Sequence, residues 1–162
     1  MDFEIIEEQN IKVILKDNNE EKASCECYYK NTPQDNGVQV GCIGNIEIKD
    51  YNYGVELLKK AEEVLKNKGI TRIVGPMNGN TWKKYRTVKY TRGDNVFLLE
   101  NVDPIEYNKI FQEAGFTEIY TYTSNKGLIQ DAYKSEIIDM ADENLKQENI
   151  VIRKFNKENA VQ

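Results

Sequence analysis

The sequence predicts an α+β chain (mixed α/β), built as a mixed sheet with helices packed against it. Three observations carry this. Three stretches between residues 11 and 48 alternate apolar and polar residues and are separated by turn-rich segments. From Gly54 the apolar spacing switches to the helical period. A short apolar run, TRIV at 71–74, then follows the helix, so strand, helix and strand make a crossover that sets a parallel pair beside an antiparallel meander.

Each element follows from its residues. In NIKVILKD, Ile11, Val13 and Leu15 alternate with Lys12, Ile14 and Lys16, and DNNEE is a turn. KASCECYYK places Ala23, Cys25, Cys27 and Tyr29 on one face of a second strand, and NTPQDNG is a loop. VQVGCIGNIEIK is a third strand, in which Gly41 and Gly44 point to a bulge or a close backbone approach. Leu57, Leu58, Ala61, Val64 and Leu65 define a helix from Gly54 to Lys68, stopped by Gly69. YRTVKYTRGDNVFLLE reads as a hairpin or extended excursion turning at RGDN. DPIEYNKIFQEAG is a short helix, with Asp103 as N-cap, Pro104 at the first helical position, Glu106 completing a capping box and Gly115 as the stop. FTEIYTYTS is a strand. DAYKSEIIDMADENLKQ is an amphipathic helix, and NIVIRKF is a last strand whose exposed edge would favour pairing with another copy.

Composition bounds the function. A chain of 162 residues with 40% apolar and 30% charged residues fits one ordinary domain. A net charge of −5 argues against a general nucleic-acid binder. No run of 18 apolar residues spans a membrane, and the acidic start MDFEIIEEQN lacks the pattern of a secretory signal, so a cytoplasmic protein is expected. Cys25 and Cys27 on one strand face do not favour a disulfide, and with Cys42 they read as buried thiols. With no histidine and no C-x-x-C pair, no metal site is expected. Histidine-dependent triads are excluded too, so a general base must be a carboxylate, a tyrosine, a lysine, the backbone or a water.

The block GPMNGNTWKKYR, residues 75–86, is the sharpest motif. Asn78, Asn80, Trp82, Tyr85 and Arg86 supply amides, an apolar wall and a cation, at the end of a strand where open sheets bind ligands. The same residues also suit a tight turn with Trp82 anchored in the core. Tyr51 and Tyr53, just before the first helix, read as packing at the strand–helix junction.

Two segments with this element order resemble the GNAT acyltransferases. GVELLKKAEEVLKNKGITRIV is similar to that family's coenzyme A-holding helix and following strand, and NVDPIEYNKIFQEAGFTEIYTY resembles its later helix ending in a G-F pair. The likeness covers roughly residues 11–125. The GPMNGNTW block resembles a subgroup in which such a domain often precedes a second GNAT-like domain. Residues 126–162 are similar to the linker helix and strand that lead into it. The resemblance implies transfer of an acyl group from acetyl-CoA to a small amine. A second GNAT-like domain or a second copy of the chain is the expected macromolecular partner.

Three departures bear on that activity. The family's phosphate-binding loop places backbone N–H groups at a helix N-terminus. Here only Gly54 fits, Asn52 is a tolerable substitute, and Asp50 and Glu56 bring negative charge, which weakens the expected coenzyme site. The family's general-acid tyrosine is replaced by Phe111, with Tyr107 one turn earlier. The N-terminal region is too short for the family's first strand and two helices, so an N-terminally shortened domain is expected. For an active enzyme the candidates are Glu47 as base, Tyr107 as acid and backbone N–H groups from Gly41 to Asn45 as oxyanion donors, with Gly44 allowing close approach. The rival reading is a degenerate, non-catalytic GNAT-like domain acting as a binding or structural module. A third is a small-ligand sensor built on the 75–86 loop.

Overall fold

The computed structural model describes residues 1–93, 96–98, 100, 102–125, 128 and 136–151. It divides into two compact units, Met1–Ile119 and Tyr120–Gln162. The first contains strands β1 (Asp2–Glu7), β2 (Ile11–Asp17), β3 (Glu20–Tyr28), β4 (Gln34–Asp35), β5 (Val38–Gln39), β6 (Gly41–Ile48) and β7 (Ile73–Val74), with helices α1 (Gly54–Asn67) and α2 (Glu106–Glu113). Five strands form one sheet in the order β1-β2-β3-β6-β7, while β4 and β5 form a separate ribbon. All pairings are antiparallel except β6 with β7, which run parallel with Gly41 opposite Ile73 and Cys42 opposite Val74. The result is the expected mixed sheet with flanking helices, an α+β arrangement.

The period-two pattern sorts the sheet into two faces. Ile11, Val13, Leu15, Ala23, Cys25 and Cys27 form the core face, onto which α1 lays Leu57, Leu58, Ala61, Val64 and Leu65. Each fully buried leucine there contributes about 1.5–3 kcal/mol. The three cysteines are all free and buried. The face opposite α1 carries Lys12, Ser24, Glu26 and Tyr28, and the candidate site lies on it.

Residues 2–7, expected only to precede the meander, are a full edge strand, so four strands run antiparallel rather than three. Phe3 packs against the core, and the acidic side chains are balanced by lysines from neighbouring elements, Glu4 by Lys16 and Glu7 by Lys68. The NTPQDNG loop supplies β4 and the turn of the β4–β5 ribbon, at Asn36 and Gly37 with φ of 50° and 78°, and β5 takes the first residues of the predicted third strand, which begins only at Gly41.

Both helices of the first unit end in the same device. After α1, Gly69 N–H donates to Lys66 O (2.9 Å) and Ile70 N–H to Leu65 O (3.2 Å). After α2, Gly115 N–H donates to Gln112 O (3.0 Å) and Phe116 N–H to Phe111 O (3.0 Å). These are Schellman motifs, with glycine at positive φ followed by an apolar residue that packs back on the helix. In α2 that contact is Phe116 edge-on to Phe111, with ring centroids 5.0 Å apart.

Other expectations need correction. The start of α2 has Ile105 as N-cap with no side-chain capping bond. Asp103 lies two residues before that cap and pairs with Lys84 instead. The described residues of 85–100 form no hairpin: the one bridge there joins Tyr85 back to Met77. Residues 116–124 alternate as a strand should but are assigned to none. In the second unit, α3 (Glu136–Gln147) occupies most of the predicted amphipathic helix. Residues 131–135 of that helix, and residues 152–155 of the predicted last strand, lie outside the described residues. Among the described residues no helix is long and apolar enough to cross a membrane.

Gly69 sits at φ 80° with nothing near its missing Cβ, so Gly69→Ala isolates backbone strain. It is expected to cost about 1–2 kcal/mol, read as a lower urea midpoint at unchanged m-value. An unchanged midpoint would refute the role given to this stop.

Candidate functional site

The site is organised around a bulge in β6. Ser24 pairs with Glu47 and Glu26 with Gly44, so two steps on β3 match three on β6. The extra residue falls at Asn45, whose φ is 45°. Asparagine tolerates that region because its short polar side chain bonds locally. Gly44 beside it is required for a different reason. A Cβ there would meet Asn78 Oδ1 at 2.3 Å and the Met77 carbonyl oxygen at 2.5 Å, so the segment after β7 lies directly on the strand.

That segment opens with a cis Gly75–Pro76 bond. Met77 N–H donates to Ile43 O (2.8 Å), extending the run of β7 along β6. Residues 77–85 then close a small hairpin through Asn78 N–H to Lys84 O (2.9 Å) and Arg86 N–H to Pro76 O (3.1 Å). Its anchor is a reciprocal amide pair. Asn78 Oδ1 accepts from Asn45 N–H at 2.8 Å, and Asn78 Nδ2 donates to Asn45 Oδ1. Asn45 Nδ2 in turn donates to the Tyr28 hydroxyl at 2.9 Å. Glu26, opposite Lys12 on the next strand, accepts from Asn10 Nδ2 at 3.3 Å. Burial, and then the bond to Glu26, hold the Tyr28 pKa well above the usual range, so it stays a phenol.

The predicted residues separate into groups. Glu47, Tyr107 and Asn78 border one concavity of about 310 Å³, together with Lys12, Glu26 and Asp103. The Tyr107 hydroxyl accepts the Ile48 N–H at 3.2 Å. Burial raises its pKa, the bond from Ile48 opposes that, and the Asp103 charge adds to the rise. Gly41 and Gly54 serve packing instead. A Cβ on Gly41 would meet Ile70 at 2.8 Å, and one on Gly54 would meet Ile110 at 2.7 Å.

The loop before α1 spends its donors internally. Asp50 Oδ1 accepts from Asn52 N–H (3.1 Å) and Asn52 Nδ2 (3.0 Å). Tyr53 N–H donates to Asp50 O, and Gly54 N–H to Tyr51 O. Tyr53 Oη donates to Asp17 Oδ2 at 2.8 Å, in keeping with packing at this junction. The carboxylate of Asp50 thus occupies the position where an anion would be received. The candidate oxyanion donors at either end of the strand are also committed: Gly41 N–H to Arg72 O, and Asn45 N–H to Asn78. These residues do not fit the diphosphate or the thioester of coenzyme A.

In the 75–86 loop, Trp82 is 95% exposed, which overturns its expected anchoring in the core. Asn80 Oδ1 accepts the Trp82 N–H at 3.0 Å and fixes the turn with the indole outward. Tyr85 lies in the Met77 bridge, and the Arg86 guanidinium stacks 4.7 Å from the centre of its ring. Tyr28, Glu26 and the Asn45 side chain belong to the site without having been expected there; Asn45 was expected only through its backbone N–H. The signal was present: Ser24, Glu26 and Tyr28 share the face opposite the core by strict alternation, and an asparagine after a strand glycine marks a bulge.

No family model matches the chain, and no curated protein matches it. A solved structure of a probable acetyltransferase resembles it at a TM-score of 0.44 and 12% identity, over 75% of this chain and 68% of that one. At that level the likeness carries no argument about function.

Two variants test the geometry. Asn78→Ala leaves the Asn45 N–H and side-chain amide short of partners, and is expected to cost about 1–3 kcal/mol and to speed hydrogen exchange at the Asn45 amide. Exchange at the wild-type rate would contradict the anchor. Phe111→Tyr supplies a phenol at the family's general-acid position. Phe111 is 6% exposed, and its ring lies against Gly75 and Phe116, so the hydroxyl is expected to destabilise by about 1–3 kcal/mol. An unchanged melting temperature would show that the ring position can reach water.

Proposed function

We propose that this chain is a GNAT-like domain that works as a binding module and does not transfer acyl groups. One observation carries the reading. The Asn45 N–H, the strand donor best placed to receive a thioester carbonyl, is already bound by Asn78 Oδ1 at 2.8 Å. The Met77 backbone lies against Gly44 beside it, so displacing the side chain would not by itself open a slot. Asp50 answers the helix-entry donors in the same way.

Acyl transfer is the second reading, and it has a specific observation in its favour. Glu47 and Tyr107 border the same concavity as Asn45, so a carboxylate and a protonated phenol stand near one another. Calorimetric titration with acetyl-CoA separates the two readings. No binding is expected up to high micromolar coenzyme. Saturable binding would overturn the module reading.

A further inference from the structure

A second concavity, of about 410 Å³, lies on the other side of Asn78. Its lining comes from three places: the β1–β2 turn (Gln9, Asn10), the end of β3 with the following residues (Tyr28, Lys30, Asn31) and the hairpin (Asn78, Gly79, Asn80, Lys83). No carboxylate lines it, in a chain with 27 acidic and 22 basic residues. Neither Lys30 nor Lys83 forms an ion pair among the described residues. Lys30 instead stands over the Tyr29 ring at 4.8 Å. Glu7, whose field also reaches Lys30, is held by Lys68 and by the Tyr29 hydroxyl. Glu26 lines the neighbouring concavity and accepts from Asn10.

The amides add donors. Gln9 and Asn31 make no side-chain hydrogen bond among the described residues, and Asn80 commits only its oxygen, to Trp82 N–H. Two lysines and several uncommitted amide NH₂ groups therefore border an open space in the size range of small-molecule pockets. We infer that this concavity binds a small organic phosphate, with Lys30 and Lys83 meeting the phosphoryl oxygens and the amides meeting hydroxyl or carbonyl groups of the rest of the molecule. The arrangement is separate from the helix entry and the β6 bulge, so it holds whether or not the chain binds coenzyme A.

The chain's single tryptophan, Trp82, adjoins Lys83 and serves as the reporter. The experiment titrates the whole chain with glucose 6-phosphate, with inorganic phosphate, and with glucose, each at ionic strength matched by KCl. It follows Trp82 emission and the ¹⁵N–¹H signals of Gly79 and Lys83. Saturable changes are expected with the phosphates and not with glucose or KCl. The double variant Lys30→Gln, Lys83→Gln should bind at least about fivefold more weakly, the scale of one exposed ion pair at its upper limit. Tighter binding of the sugar phosphate than of the free ion supports an organic phosphate. Equal affinity for both would overturn the organic part and leave a site for free phosphate. The site itself is refuted by signals that do not move with either phosphate, or by undiminished affinity in the double variant.

Discussion

The amide pair between Asn45 and Asn78 is the constraint on which the site side of this molecule rests. It joins two irregularities that neither partner could sustain alone. Asn45 is the extra residue of a bulge, and its N–H points out of the β3–β6 ladder and needs an acceptor. Asn78 begins a hairpin that leaves the sheet after only two residues of β7. Asn78 Oδ1 supplies the acceptor that the Asn45 backbone lacks, and Asn45 Oδ1 accepts from the other end of the same amide. Gly44 makes the meeting sterically possible, because a side chain there would strike the Met77 carbonyl. The face opposite the helices acquires its shape from this one contact, since Asn78 borders both concavities.

The G-F pair that suggested a family also has a local cause. Gly115 and Phe116 complete a Schellman motif in which Phe116 packs on Phe111, and the same device ends α1 through Gly69, Ile70 and Leu65. A glycine followed by an apolar residue is what any helix needs when it must stop and return its chain to a core. Phe111 is therefore fixed by packing against Phe116 and Gly75. A phenylalanine at this position is explained by that cluster alone.

What could be read from the sequence followed the strength of the period. The alternation from Ile11 to Ile48 and the helical spacing after Gly54 located β2 and α1 to within a residue and β3 and β6 to within two or three, because both patterns report one buried face. The charged strand β1 escaped, since its glutamates are answered by Lys16 and Lys68 from elsewhere in the chain, which no local window sees. Asp103 misled for the same reason: it had the spacing of a cap, but Lys84, far away in sequence, took the carboxylate. Residues 116–124 had strand propensity but belong to no strand, since propensity alone does not set a ladder. For the site, Asn78 and Asn80 were legible as unusual residues. Their partners were not, because Asn45 and Tyr28 come from strands that only the fold brings near.

Tyr28 shows how two sides of one face can differ in charge while sharing a wall. Its buried hydroxyl stays protonated and accepts the Asn45 amide. Asn10 donates to Glu26 at 3.3 Å. Glu26 stands on the Lys12 side, among Glu47 and Asp103, with a neutral amide as its donor. Beyond the Tyr28 ring, against which Gly79 packs, the lining is amides and lysines alone. This neutral wall adds no ion of its own to either side. The two concavities thus differ in lining a few residues apart on the same hairpin, one bordered by lysines and carboxylates, the other by lysines and amides.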